Sequence, residues 1–152
     1  MSELTPFEKR LEALIASLSP AGRRRLTADI AKELRQRQQQ RIKSQTAPDG
    51  SAYAPRKRQP IRGKKGRVKR EMFAKLRTSR YMKASGDDSS AAVEFTGKVQ
   101  RIARVHQSGL KDKPGRSSPA VQYPERQLLG LDEDSIQLIE EKLLLWLSEK
   151  HK

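Results

Sequence analysis

Few side chains in this sequence are of types that do chemistry, and their spacing sorts them quickly. The two histidines, His106 and His151, have no second ligand at metal-like spacing, and there is no cysteine, so a transition-metal site has no ligand set. The carboxylates of Asp87-Asp88 and of Asp132-Glu133-Asp134 could be imagined around magnesium, but a turn and a helix N-terminus explain them better. No serine stands in a nucleophile-elbow context and no Gly-rich phosphate loop follows a strand. We therefore expect no catalytic residues, no metal and no cofactor.

What these residues can do is carry charge. Between positions 56 and 83 stand 13 of the 33 Lys and Arg residues and one acid, Glu71, so this stretch holds +12 of the net +15. A block that concentrated either faces water and ions or meets something negative. Arg56, Lys57, Arg58, Arg62, Lys64, Lys65, Arg67, Lys69 and Arg70 are its interacting side chains. With Tyr53, Phe73 and Tyr81 nearby, phosphate neutralisation and base stacking would suit a nucleic acid. No helix-turn-helix, zinc-finger or ribonucleoprotein motif accompanies them. Three readings stay open: a dedicated nucleic-acid binder, a solvated loop, and an arm that orders against acidic protein or a DNA-containing channel.

The elements that must position this charge follow from periodicity. Thr5-Pro6-Phe7-Glu8 has the form of a helix start, and Phe7, Leu11, Leu14, Ile15 and Leu18 make one apolar stripe. Ser19-Pro20 opens a second, mostly wet helix through Leu26, Ile30, Leu34 and Ile42, closed by Pro48-Asp49-Gly50. Pro55, Pro60, Gly63 and Gly66 then erase any period, which predicts an extended arm. A helical turn at Met72, Phe73 and Leu76 precedes strands at 78–85 and 90–96, joined as a hairpin at Gly86-Asp87-Asp88. Residues 98–107 form a short helix that Ser108-Gly109 stops, and 111–119 reads as a loop. A last helix begins at Asp132-Glu133-Asp134, with Ile136, Ile139, Leu143, Trp146 and Leu147 on one stripe. Leu138, Leu144 and Leu145 spill onto other faces, where they either complete the intrachain core or form a subunit interface.

The predicted class is thus α+β: an N-terminal helical pair, a small antiparallel sheet with a short helix, a C-terminal amphipathic helix and an extended basic arm. At 152 residues one domain is expected over 1–152, with the helical pair at 1–46, the arm at 47–69 and an α+β core at 70–152. Hydrophobic residues make up 34% and aromatic residues 5%, too little for a generous monomeric core, so part of the chain should stay loose until it assembles. The absence of cysteine, of an 18-residue apolar run and of an apolar N-terminal signal points to a soluble product of the cytoplasm without a membrane partner.

Two longer segments carry a family pattern. Val99-Gln100-Arg101-Ile102-Ala103-Arg104-Val105-His106-Gln107-Ser108-Gly109, followed by Tyr123-Pro124-Glu125-Arg126-Gln127-Leu128-Leu129-Gly130, resembles the virion morphogenesis, or tail completion, family of contractile-tailed bacteriophages. The likeness extends over nearly the whole chain, through Ala47-Pro48-Asp49-Gly50, Tyr53-Ala54-Pro55-Arg56 and Met72-Phe73-Ala74-Lys75-Leu76. It implies a structural, non-enzymatic protein that finishes the tail at its head-proximal end and helps join it to the head. Its implied partners are copies of itself in a ring, commonly six-fold, the tail tube, terminator or sheath, the neck or connector, and the genomic DNA; its implied place is the head-tail junction of the virion. The alternative is a small basic nucleic-acid-binding protein. Within the matched segments Arg101, His106, Gln107, Gly109, Tyr123, Pro124, Arg126 and Gly130 are expected to hold structure. Gly109 should provide a left-handed helix cap, Tyr123-Pro124 an extended lead-in to Arg126, and Leu128, Leu129 and Leu131 a last strand beneath the C-terminal helix.

Overall fold

Thr5 starts helix α1 (Pro6–Ala16) with a reciprocal cap. Its hydroxyl accepts the Glu8 N–H at 3.1 Å, while the Glu8 carboxylate accepts the Thr5 N–H at 2.8 Å, which satisfies two donors that a helix N-terminus leaves open. The structure, a computed structural model, describes residues 5–56 and 71–150. The side chains of Phe7, Leu11, Glu149 and Lys150 and the residues His151 and Lys152 lie outside that description. Helix α2 (Pro20–Lys43) opens where Ser19 Oγ accepts the Gly22 N–H at 3.0 Å. The other elements are β1 (Met82–Gly86), β2 (Ala91–Phe95), α3 (Gln100–Ser108), β3 (Lys111–Asp112), β4 (Val121–Gln122) and α4 (Glu133–Lys150), an α+β arrangement.

These elements form two compact units, one from residues 1–35, 84–93 and 131–152, the other from 36–83 and 94–130. In the first unit Leu26, Ile30 and Leu34 recur every fourth residue along α2 and bury one face. Leu18 and Leu147 close over them, with Leu14, Ala91, Val93, Ile139, Leu143 and Trp146 packed around. Each such buried leucine or isoleucine contributes roughly 1.5–3 kcal/mol of transfer free energy.

Helix α4 is seated by its polar contacts as well. Asp132 accepts the Ser135 N–H at 2.7 Å, capping the first turn. One turn-pair further along, Lys142 Nζ donates to Asp29 at 3.0 Å and Trp146 Nε1 to the same carboxylate at 3.3 Å. The Asp29 hydrogen bond holds the Lys142 ammonium above its ordinary pKa. Of the predicted α4 stripe, Ile139, Leu143, Trp146 and Leu147 pack inward, but Ile136 is exposed, and in the first turn it is Ser135 that is buried instead. Leu138 is half-buried, and Leu144 and Leu145 are exposed.

The β1–β2 hairpin turns at Asp87, whose carboxylate accepts the N–H groups of Ser89 at 2.8 Å and Ser90 at 2.6 Å. Those hydrogen bonds hold its carboxyl below the usual range. Ala91, Val93 and Phe95 point inward and Ala92 and Glu94 outward, the expected alternation. The first strand begins later than its sequence pattern suggests, at Met82, and the expected helical turn before it is a run of turns over 71–81. Phe73, at φ +65°, interrupts helical continuation there, although Met72 and Leu76 are buried as the pattern requires.

In the second unit α3 ends on Gly109, in the left-handed conformation at φ +65°, with its N–H donating to the Val105 carbonyl. The segment read as a loop from Lys111 in fact starts with β3, which pairs antiparallel with β4, Lys111 opposite Gln122 and Asp112 opposite Val121. Two-residue strands leave no alternation to detect. Conversely, residues 128–131 form no strand. Side chains replace the ladder there.

Candidate functional site

The irregular segment from Arg126 to Gly130 is where the second unit concentrates its polar contacts. Its backbone is strapped by side chains from α2, α3 and the 53–56 segment, since an extended chain without a neighbouring strand needs other partners for its N–H and C=O groups. Gln107 supplies three: its Oε1 accepts the Leu128 N–H at 2.8 Å and the Leu129 N–H at 2.9 Å, and its Nε2 donates to the Leu129 carbonyl at 2.9 Å. Gln38 Nε2 donates to the Gly130 carbonyl at 2.9 Å. Arg41 donates to the same carbonyl at 3.1 Å, to the Leu128 carbonyl at 3.2 Å, and to Gln38 Oε1. Tyr53 Oη donates to the Gln127 carbonyl at 2.8 Å, and its burial pushes the phenol up to about 12.

Gln38 and Arg41 are only 3% and 9% exposed, on a helix whose polar run reads as wet. The signal that could have found them is register: Leu26, Ile30, Leu34, Gln38 and Ile42 stand at successive four-residue steps, so a glutamine occupies a core-facing position. Gln45 escapes sequence reading altogether. At φ +58° it ends α2, accepts the Met72 N–H at 2.9 Å and donates to the Met72 carbonyl at 2.9 Å.

The residues of the family pattern are brought together here, with Arg101 on the periphery. Arg126 is 6% exposed; its backbone N–H donates to the His106 carbonyl at 2.7 Å, and its guanidinium to the Ala54 carbonyl at 2.8 Å and the Pro55 carbonyl at 3.2 Å. Gly109 lies so close to this segment that a Cβ would stand 2.9 Å from the Glu125 backbone N, which adds a steric demand to its positive φ. Arg101 instead pairs with Asp112 at 2.7 Å on the surface. Of the basic-arm side chains, Arg56 is described and exposed; Lys57, Arg58, Arg62, Lys64, Lys65, Arg67, Lys69 and Arg70 lie outside the described residues.

Four rings run through the site edge to face: Tyr53 and Phe73 at 5.7 Å, Phe73 and His106 at 4.9 Å, His106 and Tyr123 at 5.0 Å between centroids. His106 stands in the last turn of α3, where the helix dipole would favour a cation. Burial, and then the charges of Arg126 and Arg56, outweigh that and lower its pKa from 6.5. The unfolded chain therefore takes up this proton more readily, so stability contributed by the neutral ring is full above pH 6.5 and is lost as pH falls through the lowered folded value. Thermal melts across that window should slope downward towards acid for the parent, and the slope should shrink in His106→Gln.

A cleft of about 420 Å³ opens beside these rings, lined by Arg56, His106, Val121, Gln122, Tyr123, Pro124 and Arg126. Among the described residues no three His, Cys, Asp or Glu side chains gather as a metal site would need. The chemistry on offer is recognition by cations and rings.

A strapped segment, a ring stack and a cationic cleft are thus carried on one α+β scaffold. The chain belongs to the phage virion morphogenesis family, whose model matches residues 2–148. It is 51% identical over 145 residues to tail completion protein S of Escherichia phage P2, covering 95% of this chain and 97% of that protein. No solved structure matches it.

Proposed function

We propose that this chain completes the tail of a contractile-tailed phage at its head-proximal end and helps join tail to head, as a homo-oligomeric ring around the DNA path. The observation that carries this reading is 51% identity, over 95% of this chain, to a protein named for tail completion. The physical character of the chain agrees with it. Leu144 and Leu145 stand 48% and 55% exposed on α4, and with half-buried Leu138 they offer apolar area to a neighbouring copy. The +12 block from 56 to 83 suits acidic partner rings, among tube, terminator, sheath or neck, or a DNA-filled lumen. The work is structural, done by geometry in the virion rather than by turnover.

Complementation tests the role. Phage P2 lacking its tail completion protein should regain infectious particles when this chain is supplied, and loss of infectivity despite soluble expression would refute the assignment. Native mass measurement tests the ring: a discrete oligomer should persist at high salt. The +12 block also supports a second reading, a dedicated nucleic-acid binder. That reading requires a monomer whose DNA affinity falls steeply with salt, by a slope of about 0.9 per phosphate neutralised.

A further inference from the structure

Arg126 is an unusual cation. It is 6% exposed, its guanidinium is held by two backbone carbonyls, and among the described residues no carboxylate pairs with it. A buried charge without a counter-charge is costly, and proteins compensate it with an anion. Arg56 lines the same cleft, and its charge acts on both Arg126 and His106. His106 lines it too, with Nδ1 buried and, among the described residues, without a hydrogen-bond partner. Val121, Tyr123 and Pro124 complete the walls with apolar surface.

We propose that this cleft receives a carboxylate side chain of an acidic segment on a partner protein, clamped between Arg56 and Arg126 with its hydrocarbon stem against Tyr123 and Pro124. Arg forks match carboxylates in a two-bond geometry, and His106 can present an N–H to the same group. A nucleic-acid phosphate fits less well. Phosphates ride on the outside of a backbone and are met by extended basic surfaces, whereas a recessed guanidinium with apolar walls suits a thin side chain that can enter. Burial and the neighbouring arginines lower the His106 pKa, so an arriving anion should raise it.

The test is a titration of the full chain, at about 0.15 M salt, with the blocked peptide acetyl-Ala-Glu-Ala-amide and its Gln counterpart, followed by NMR of the His106 ring and the Arg Nε signals. The Glu peptide is expected to bind saturably, to raise the His106 pKa, and to bind about tenfold more tightly than the Gln peptide. Arg56→Gln, at an exposed position that should not impair folding, is expected to weaken it about tenfold, and Arg126→Lys at least as much. Equal or absent binding of the two peptides would overturn the proposal. So would inorganic phosphate or a short DNA oligonucleotide binding through Arg56 while the Glu peptide does not. Carboxylate recognition is independent of the chain's place in the virion, so the titration and the phage complementation can fail separately.

Discussion

Gln107→Ala is expected to lower stability by about 3 kcal/mol, because it leaves two backbone N–H groups and a carbonyl of the strapped segment without partners. The Leu128 residue is fully buried, so water cannot replace the lost acceptor there without opening the unit. For a chain of this length that is a fall of roughly 10 °C in Tm, read by calorimetry or circular dichroism. Gln107→Glu separates the two halves of the contact. The carboxylate still accepts both N–H groups but cannot donate to the Leu129 carbonyl, so about half the loss is expected. An unchanged melt for Gln107→Ala, combined with failed oligomerisation, would instead make Gln107 an interface residue and refute its role as an internal strap.

The second large effect is expected at Gly86, in the first unit. A Cβ there would stand 2.5 Å from the Ala28 N and 2.6 Å from the Thr27 carbonyl carbon, which belong to the backbone of α2 and cannot rotate away. Thr27 Oγ1 also donates to the Asp87 carbonyl, so the hairpin turn is pinned to that helix. Gly86→Ala must push strand and helix apart, at a cost of about 3 kcal/mol for overpacking a fixed contact. Urea denaturation should show a lower midpoint with an unchanged slope. Gly97→Ala is the control, since a Cβ there meets nothing within 4 Å and should change stability by less than about 0.5 kcal/mol. Equal behaviour of the two variants would show that the close approach at Gly86 carries no weight.

Local chemistry made several elements legible. Thr5, Pro6 and Glu8 form the cap that their types and spacing imply, Gly109 takes the left-handed conformation after α3, and Asp87 organises the hairpin turn. Each of these depends on atoms within a few residues, and such interactions do not wait for the rest of the fold. Elements defined by distant partners were not legible. The strands β3 and β4 are two residues each and exist only because Lys111 meets Gln122, and the expected strand at 128–131 is absent because Gln107, Gln38 and Arg41 satisfy that backbone instead.

The same division runs through the site. The clustering of Arg101, His106, Gln107, Gly109, Tyr123, Pro124, Arg126 and Gly130 in two segments was visible as a family pattern, but not what each side chain holds. The sequence by itself determined the helices, the hairpin, the location of the charge and the kinship to phage virion proteins, since periodicity, capping and composition are properties of the chain read in order. Only the tertiary structure decided that Gln38 and Arg41 would be buried, that Arg126 would donate to the Ala54 and Pro55 carbonyls with no carboxylate partner among the described residues, and that His106 would stand between Phe73 and Tyr123. The reason is that a polar side chain's burial is set by what lies across from it, and residues separated by about 70 to 90 positions, such as Ala54 from Arg126 or Gln38 from Gly130, have no local signal of their meeting.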